Sequence, residues 1–80
     1  MDRKENVRRK MAEVLGLEPE RVVDDAVLTD LVSSSFVLVE MVIEVQEEFG
    51  VRFGQADLSG VTTVAQFLEL VAARMAAAVE

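Results

Sequence analysis

Apolar side chains recur at helical spacing in three stretches of this 80-residue chain, and glycines punctuate the gaps between them. Val7, Met11, Val14 and Leu15 fall at i, i+4, i+7 and i+8, the period of a helix that buries one stripe. Asp2 and Glu5 are spaced as a capping box ahead of that helix, and Gly16 is its expected stop. A second helix is expected from about Ser35 to Phe49, closed by Gly50, with Leu38, Val42, Val45 and Phe49 on its buried stripe and Met41 beside it. Thr63 and Gln66 make another capping box. Val64, Phe67, Leu68, Val71, Ala72 and Met75 then give a wide apolar face to a last helix reaching about Ala78.

The intervening stretches read differently. From Leu17 to Ser34 apolar residues persist without a period, which predicts a long packed loop with a turn of helix around Pro19 to Val22. Val51 and Phe53 suggest a short extended piece, and Gln55 to Leu58 one turn of helix before Gly60. The predicted fold is all-α: a small antiparallel bundle of three main helices plus one short helix, with the long loop between helices one and two. Length and apolar content suit one domain, 1–80, with a single core, and the initial Met1 is read as the start of a complete product.

Charge sharpens this picture. The net charge is −7, yet residues 1–10 carry five basic and two acidic side chains, a local +3, so residues 11–80 sum to −10. Nine carboxylates lie between Glu18 and Glu48 against Arg21 alone. Such a field argues against a nucleic-acid partner and favours proteins with basic docking surfaces. No apolar run is long enough for a membrane span or a signal peptide, so no membrane association is expected. The absence of cysteine excludes disulfides and thiolate metal sites, no metal is expected, and a reducing cytoplasm is the expected compartment.

Candidate chemistry converges on Ser33, Ser34 and Ser35, three hydroxyls at the mouth of the second helix. A phosphate ester formed there would be stabilised by converging N–H groups and the positive end of the helix dipole. Serine catalysis needs a neighbouring base, and the chain has no histidine and only Lys4 and Lys10, both distant in sequence. No catalytic residue is assigned. At 100° per residue Glu40, Glu44, Glu47 and Glu48 gather opposite the buried stripe, with Phe36 and Ile43 beside Glu40 and Glu47. Apolar residues ringed by acids suit a protein contact; packing of Phe36 and Ile43 beneath the loop is the alternative.

Asp30-Leu31, three intervening residues, Ser35, then Val39-Glu40-Met41-Val42 and Glu47-Glu48-Phe49-Gly50-Val51 together resemble an acyl carrier protein or its peptidyl carrier relatives. The resemblance extends over nearly the whole chain and includes Val61-Thr62-Thr63-Val64 at the start of the last helix. It implies a carrier, not an enzyme, whose serine at the start of helix two receives 4'-phosphopantetheine from coenzyme A. By register that serine is Ser35. The resemblance further implies a free-standing carrier of an acyl thioester in polyketide, fatty-acid-like or other natural-product biosynthesis, with aminoacyl or peptidyl cargo as the alternative. The implied partners are a phosphopantetheinyl transferase and loading, condensing and tailoring enzymes, met through Phe36, Val37, Glu40, Ile43, Glu44, Glu47 and Glu48; a monomer is expected.

The chain departs from the family pattern just before the serine. Val32, Ser33 and Ser34 replace the usual glycine, one residue and aspartate, Phe36 replaces leucine, and Val37 stands where fatty-acid carriers often have an acid. These changes alter features that resemble part of the transferase recognition site. Met11, Val42, Val45, Phe49, Phe67 and Val71 are read as ordinary core packing, with a transient acyl shelter among them as the lesser alternative. The rival to the carrier reading is an unmodified acidic helical interaction module in which the serine only caps its helix.

Overall fold

A computed structural model describes residues 3–78. In chain order it contains α1 (Arg3–Leu15), a 3-10 turn (Pro19–Arg21), α2 (Leu28–Leu31), α3 (Ser35–Phe49), α4 (Gln55–Ser59) and α5 (Val64–Ala78). The fold is the expected helical bundle of three long helices, with two short helices in place of one. Asp2 of the expected first capping box lies outside the described residues.

Two glycines end the long helices in the way anticipated. Gly16 (φ 71°) and Gly50 (φ 67°) adopt the left-handed conformation that a Cβ disfavours. After α1, Leu17 N–H donates to Ala12 O at 2.9 Å and Gly16 N–H to Glu13 O at 3.3 Å; after α3, Val51 N–H reaches Gln46 O at 3.1 Å. These bonds satisfy carbonyls that a helix end leaves without partners, and the following residue, Val51, turns into the core. Val51 and Phe53 lie in the connection between α3 and α4, outside any helix.

The core joins all three long helices. Val7, Met11 and Ala12 of α1, Met41 and Val45 of α3, and Val64, Phe67, Leu68 and Val71 of α5 are buried, joined by Val22, Leu28 and Val51 from the connections. α1 packs against both α3 and α5. On α3 the buried stripe is rotated from the one predicted: Met41 and Val45 are fully enclosed, whereas Leu38, Val42 and Phe49 are half-buried at its margin. Neighbours, not period alone, set the centre of that stripe, because α1 covers one flank and the other is left to short elements.

The segment from Leu17 to Ser34 is not a free loop. α5 must find acceptors for its first N–H groups, and the loop supplies them: Val64 N–H donates to Ala26 O and Ala65 N–H to Asp24 O, both at 2.9 Å. Thr63 completes the cap, its Oγ1 accepting from Gln66 N–H at 3.3 Å while Gln66 Oε1 accepts from Thr63 N–H at 3.0 Å. Leu28 N–H returns a bond to Thr62 O, and Val27 and Thr63 form an isolated antiparallel bridge. α2 follows within this segment, a four-residue helix too short to show a period.

Arg8 fastens the same segment to α1. Its Nη1 donates to Val22 O, its Nη2 to Asp24 at 2.8 Å, and its Nε to Glu5 at 3.1 Å, with the side chain only 18% exposed. Burial alone would lower the Arg8 pKa, but the hydrogen bond and charge of Asp24, helped by Glu5, outweigh it and raise the value. The sign places its stabilising effect below the arginine range, where Asp24 and Glu5 are charged, to be lost as pH rises through the raised value. Arg8→Gln is expected to cost about 1–2 kcal/mol, mostly from the Val22 carbonyl losing a charged donor, since the ion pair to exposed Asp24 adds little. Urea unfolding reads this as a lower midpoint at unchanged slope; an unmoved midpoint would contradict the role given to Arg8.

Candidate attachment site and docking face

Ser34 and Ser35 take different parts at the start of α3, and Ser33, also exposed, lies ahead of the helix. Ser34 is the N-cap of α3, extended at φ −157° and ψ 161°, with its Oγ accepting from Val37 N–H at 3.4 Å and its carbonyl accepting from Leu38 N–H at 3.3 Å. Ser35 is the first residue of the helix, and it is exposed. Among the described residues no group engages its hydroxyl. Capping was the competing explanation for a serine here, and the residue that caps is Ser34.

The electrostatics at that hydroxyl follow from its place in the helix. The N–H groups of Ser35 and Phe36 precede the first intrahelical bonds and face outward, and the first turn of α3 contains no carboxylate. Serine caps a helix about as well as aspartate but brings no charge. The positive end of the α3 dipole is therefore not offset locally, which favours an anionic ester on Ser35 Oγ. A phosphodiester-linked arm fits this position: the oxygen is reachable, uncommitted and next to unpaired donors.

Along α3 the candidate contact residues divide into two rows. Phe36 (70% exposed) and Ile43 (45%) lie uncovered, not beneath the loop, and Val39 (53%) joins them. Val39 sits three residues from Phe36 and four from Ile43, a helical spacing that would have assigned it to this row from sequence. Glu40, Glu44 and Glu47 are exposed beside the apolar row, and Val37 is half-buried. Glu48 points elsewhere: its carboxylate lies 3.7 Å from Lys10 Nζ, across α1, where Lys10 also approaches Glu13 at 3.8 Å.

An apolar cleft of about 390 Å³ opens on the flank of α3 that α1 leaves uncovered. Leu38, Val39, Val42 and Ile43 form one wall, Leu28 and Val61 an end, Phe53 and Leu58 the opposite wall, and Phe67 contributes from the core. The core-packing reading holds for Met11, Val45, Phe67 and Val71, which are fully enclosed, and of the six residues named for the alternative shelter only Val42 and Phe67 border the cleft. The rotated stripe is the reason, because it turns Leu38 and Val42 toward the short helices.

An exposed hydroxyl on the first residue of a helix, next to open N–H donors, suits the attachment of an anionic group. Residues 5–71 match the phosphopantetheine attachment site family. The acyl carrier protein of Saccharopolyspora erythraea is 39% identical over 74 residues, covering 88% of this chain and 78% of the relative. Polyketide-8 synthase acyl carrier protein 2 of Streptomyces avermitilis is 33% identical over 73 residues, covering 90% and 84%. The acyl carrier protein of Zymomonas mobilis is 36% identical over 64 residues, covering 79% and 82%.

The chain belongs to the phosphopantetheine attachment site family. It is a carrier protein and not an enzyme, and 4'-phosphopantetheine is its prosthetic group. That nature implies contact with a phosphopantetheinyl transferase and with synthase enzymes. Among the described residues no helix is long and apolar enough to cross a membrane.

Proposed function

We propose that this protein is an acyl carrier whose arm is attached through Ser35 Oγ, serving polyketide or fatty-acid-like biosynthesis. The observation that carries this reading is the division between Ser34, committed to the cap, and Ser35, exposed and uncommitted at the next position. When attached, the arm supplies a thiol that holds the cargo as a thioester; the protein supplies a tether, a docking face and a shelter. Tethering raises the cargo's effective concentration at each partner.

The cleft favours acyl over aminoacyl or peptidyl cargo. Its lining side chains are hydrocarbon apart from Gln46, and no charged side chain borders it to meet an amine. Its volume falls within the range of about 300–1,000 Å³ common for small-molecule clefts. The row Phe36, Val39, Ile43 leads along α3 from the attachment serine to the cleft's rim. The names of the relatives agree, one of them belonging to a polyketide synthase. Intact mass of the protein isolated from its own host tests the cargo: an acyl group on the arm supports the reading, and an aminoacyl or peptidyl group contradicts it. The proposal treats 1–80 as one carrier domain working as a monomer in the cytoplasm.

Docking follows from the two rows on α3. Glu40, Glu44 and Glu47 would steer partners with basic surfaces, while Phe36, Val37, Val39 and Ile43 supply apolar contact; Glu48 is part-neutralised by Lys10. Both Glu40→Lys and Glu47→Lys change exposed residues and should leave the fold intact. The double variant is expected to slow association with a transferase about tenfold at low salt, with the gap narrowing as ionic strength rises. Stopped-flow association rates check this. Equal rates for both proteins at low salt would remove the steering role.

A further inference from the structure

Resting on the reading of the cleft as the cargo shelter, we infer that the ion pair between Asp57 and Arg74 is a latch that sets how far the cleft opens, making Arg74 a determinant of cargo length. The cleft's outer wall, Phe53 to Leu58, is its least anchored part. α4 spans only Gln55–Ser59 and makes few close backbone contacts with the other helices. Beside the packing of Phe53 and Leu58 against the core, polar fasteners hold it in place.

Asp57 is the junction of those fasteners. One carboxylate oxygen accepts from Gly54 N–H at 2.9 Å and caps α4; the other accepts from Arg74 Nη2 at 2.6 Å and ties α4 to α5. At the opposite edge of the wall, Gln46 Oε1 accepts from Phe53 N–H at 2.8 Å, tying the wall to α3. Phe53 and Leu58 point into the cleft between these two ties, and Phe53 meets Phe67 edge to face at 5.9 Å. Releasing the α5 tie frees the Leu58 side of the wall while Gln46 and the aromatic contact still hold the Phe53 side. The wall then swings about the Phe53 edge, and the cleft widens without loss of the core.

The pair is suited to such a role because it is strong in geometry yet reachable by solvent, with side chains 40% and 33% exposed for Arg74 and Asp57. Such a pair shifts a local opening equilibrium by a modest factor and leaves global stability nearly unchanged. A docking partner offering either charge could exchange with it and open the wall.

The test compares the full chain with Arg74→Gln, which keeps the α4 cap, and with Asp57→Asn, which keeps an acceptor for Gly54 N–H. Amide exchange of the apo proteins is followed at Leu58 and Val61 in the α4 region and at Met11 and Val71 in the core. Both variants are expected to exchange about threefold to tenfold faster at Leu58 and Val61, with Met11 and Val71 unchanged; molar salt should speed the parent chain and not the variants. Each holo protein is then loaded with short, medium and long saturated acyl groups, and thioester cleavage by hydroxylamine is compared with that of the free acyl pantetheine. The best-protected chain length should be longer in Arg74→Gln than in the parent. Unchanged exchange at Leu58 and Val61 in both variants would overturn the latch whether or not acyl chains enter the cleft. Faster exchange with no thioester protection in any of the proteins would overturn the shelter reading, and with it the link to cargo length.

Discussion

Phe67→Ala is expected to cost about 3–5 kcal/mol, the largest stability loss of any single truncation in this chain. Phe67 is fully enclosed, the largest such side chain among the described residues, and touches two regions at once: the core, among its buried neighbours, and the cleft, which it lines beside its edge-to-face partner Phe53. Removal forfeits the transfer energy of the ring, leaves a void that helices pinned by other contacts fill only in part, and ends the aromatic pair. A domain of 80 residues has a total stability of about 4–12 kcal/mol at roughly 0.05–0.15 kcal/mol per residue. The variant therefore sits near its threshold. Urea unfolding followed by circular dichroism checks the value; a loss below about 1.5 kcal/mol would mean the site collapses around the void and that Phe67 does not join cleft to core.

The parts of this fold that were legible in the sequence are those with a local cause. Gly16 and Gly50 stop helices because their left-handed conformation is open to glycine, and Thr63 with Gln66 starts one because each supplies what the other's backbone lacks. The 3-10 turn at Pro19–Arg21 was likewise marked by its proline. α2 escaped because four residues contain little more than one turn and its support is backbone pairing with Thr62 and Thr63, which no side-chain pattern reports. The centre of the α3 stripe was displaced toward Val42 because period identifies a face, whereas its midline depends on where α1 and α5 lie. The cleft lies beside that midline and is set by the same placement of neighbours.

At the site, register pointed to Ser35, but three adjacent serines carry identical chemistry. Only the extended backbone of Ser34 and its bond to Val37 N–H separate the capping residue from its neighbour. Helical spacing sets Phe36 and Ile43 beside the acids, but their exposure depends on the path of the loop, and Val39 shares their row by the same spacing. Glu48 has the same chemistry as its fellow acids, and only the fold brings Lys10 beside it.

The second large effect is all-or-none. Attachment of the arm makes an ester at one oxygen, so Ser35→Ala should abolish loading entirely, while Ser34→Ala should load and lose only the cap, about 0.5–1 kcal/mol at the long 3.4 Å contact. A holo form should also melt higher than the apo form, since the added phosphate meets an α3 N-terminus with no carboxylate in its first turn. The change of residues before Ser35 makes the choice of transferase matter, so several are needed, including one from the protein's own host. The decisive measurement is intact mass of the parent chain, Ser34→Ala and Ser35→Ala after incubation with coenzyme A and each transferase. A gain of one phosphopantetheine by the parent and Ser34→Ala, absent from Ser35→Ala, is the expected result; loading that persists in Ser35→Ala, or a parent chain left unmodified by every transferase, contradicts the account.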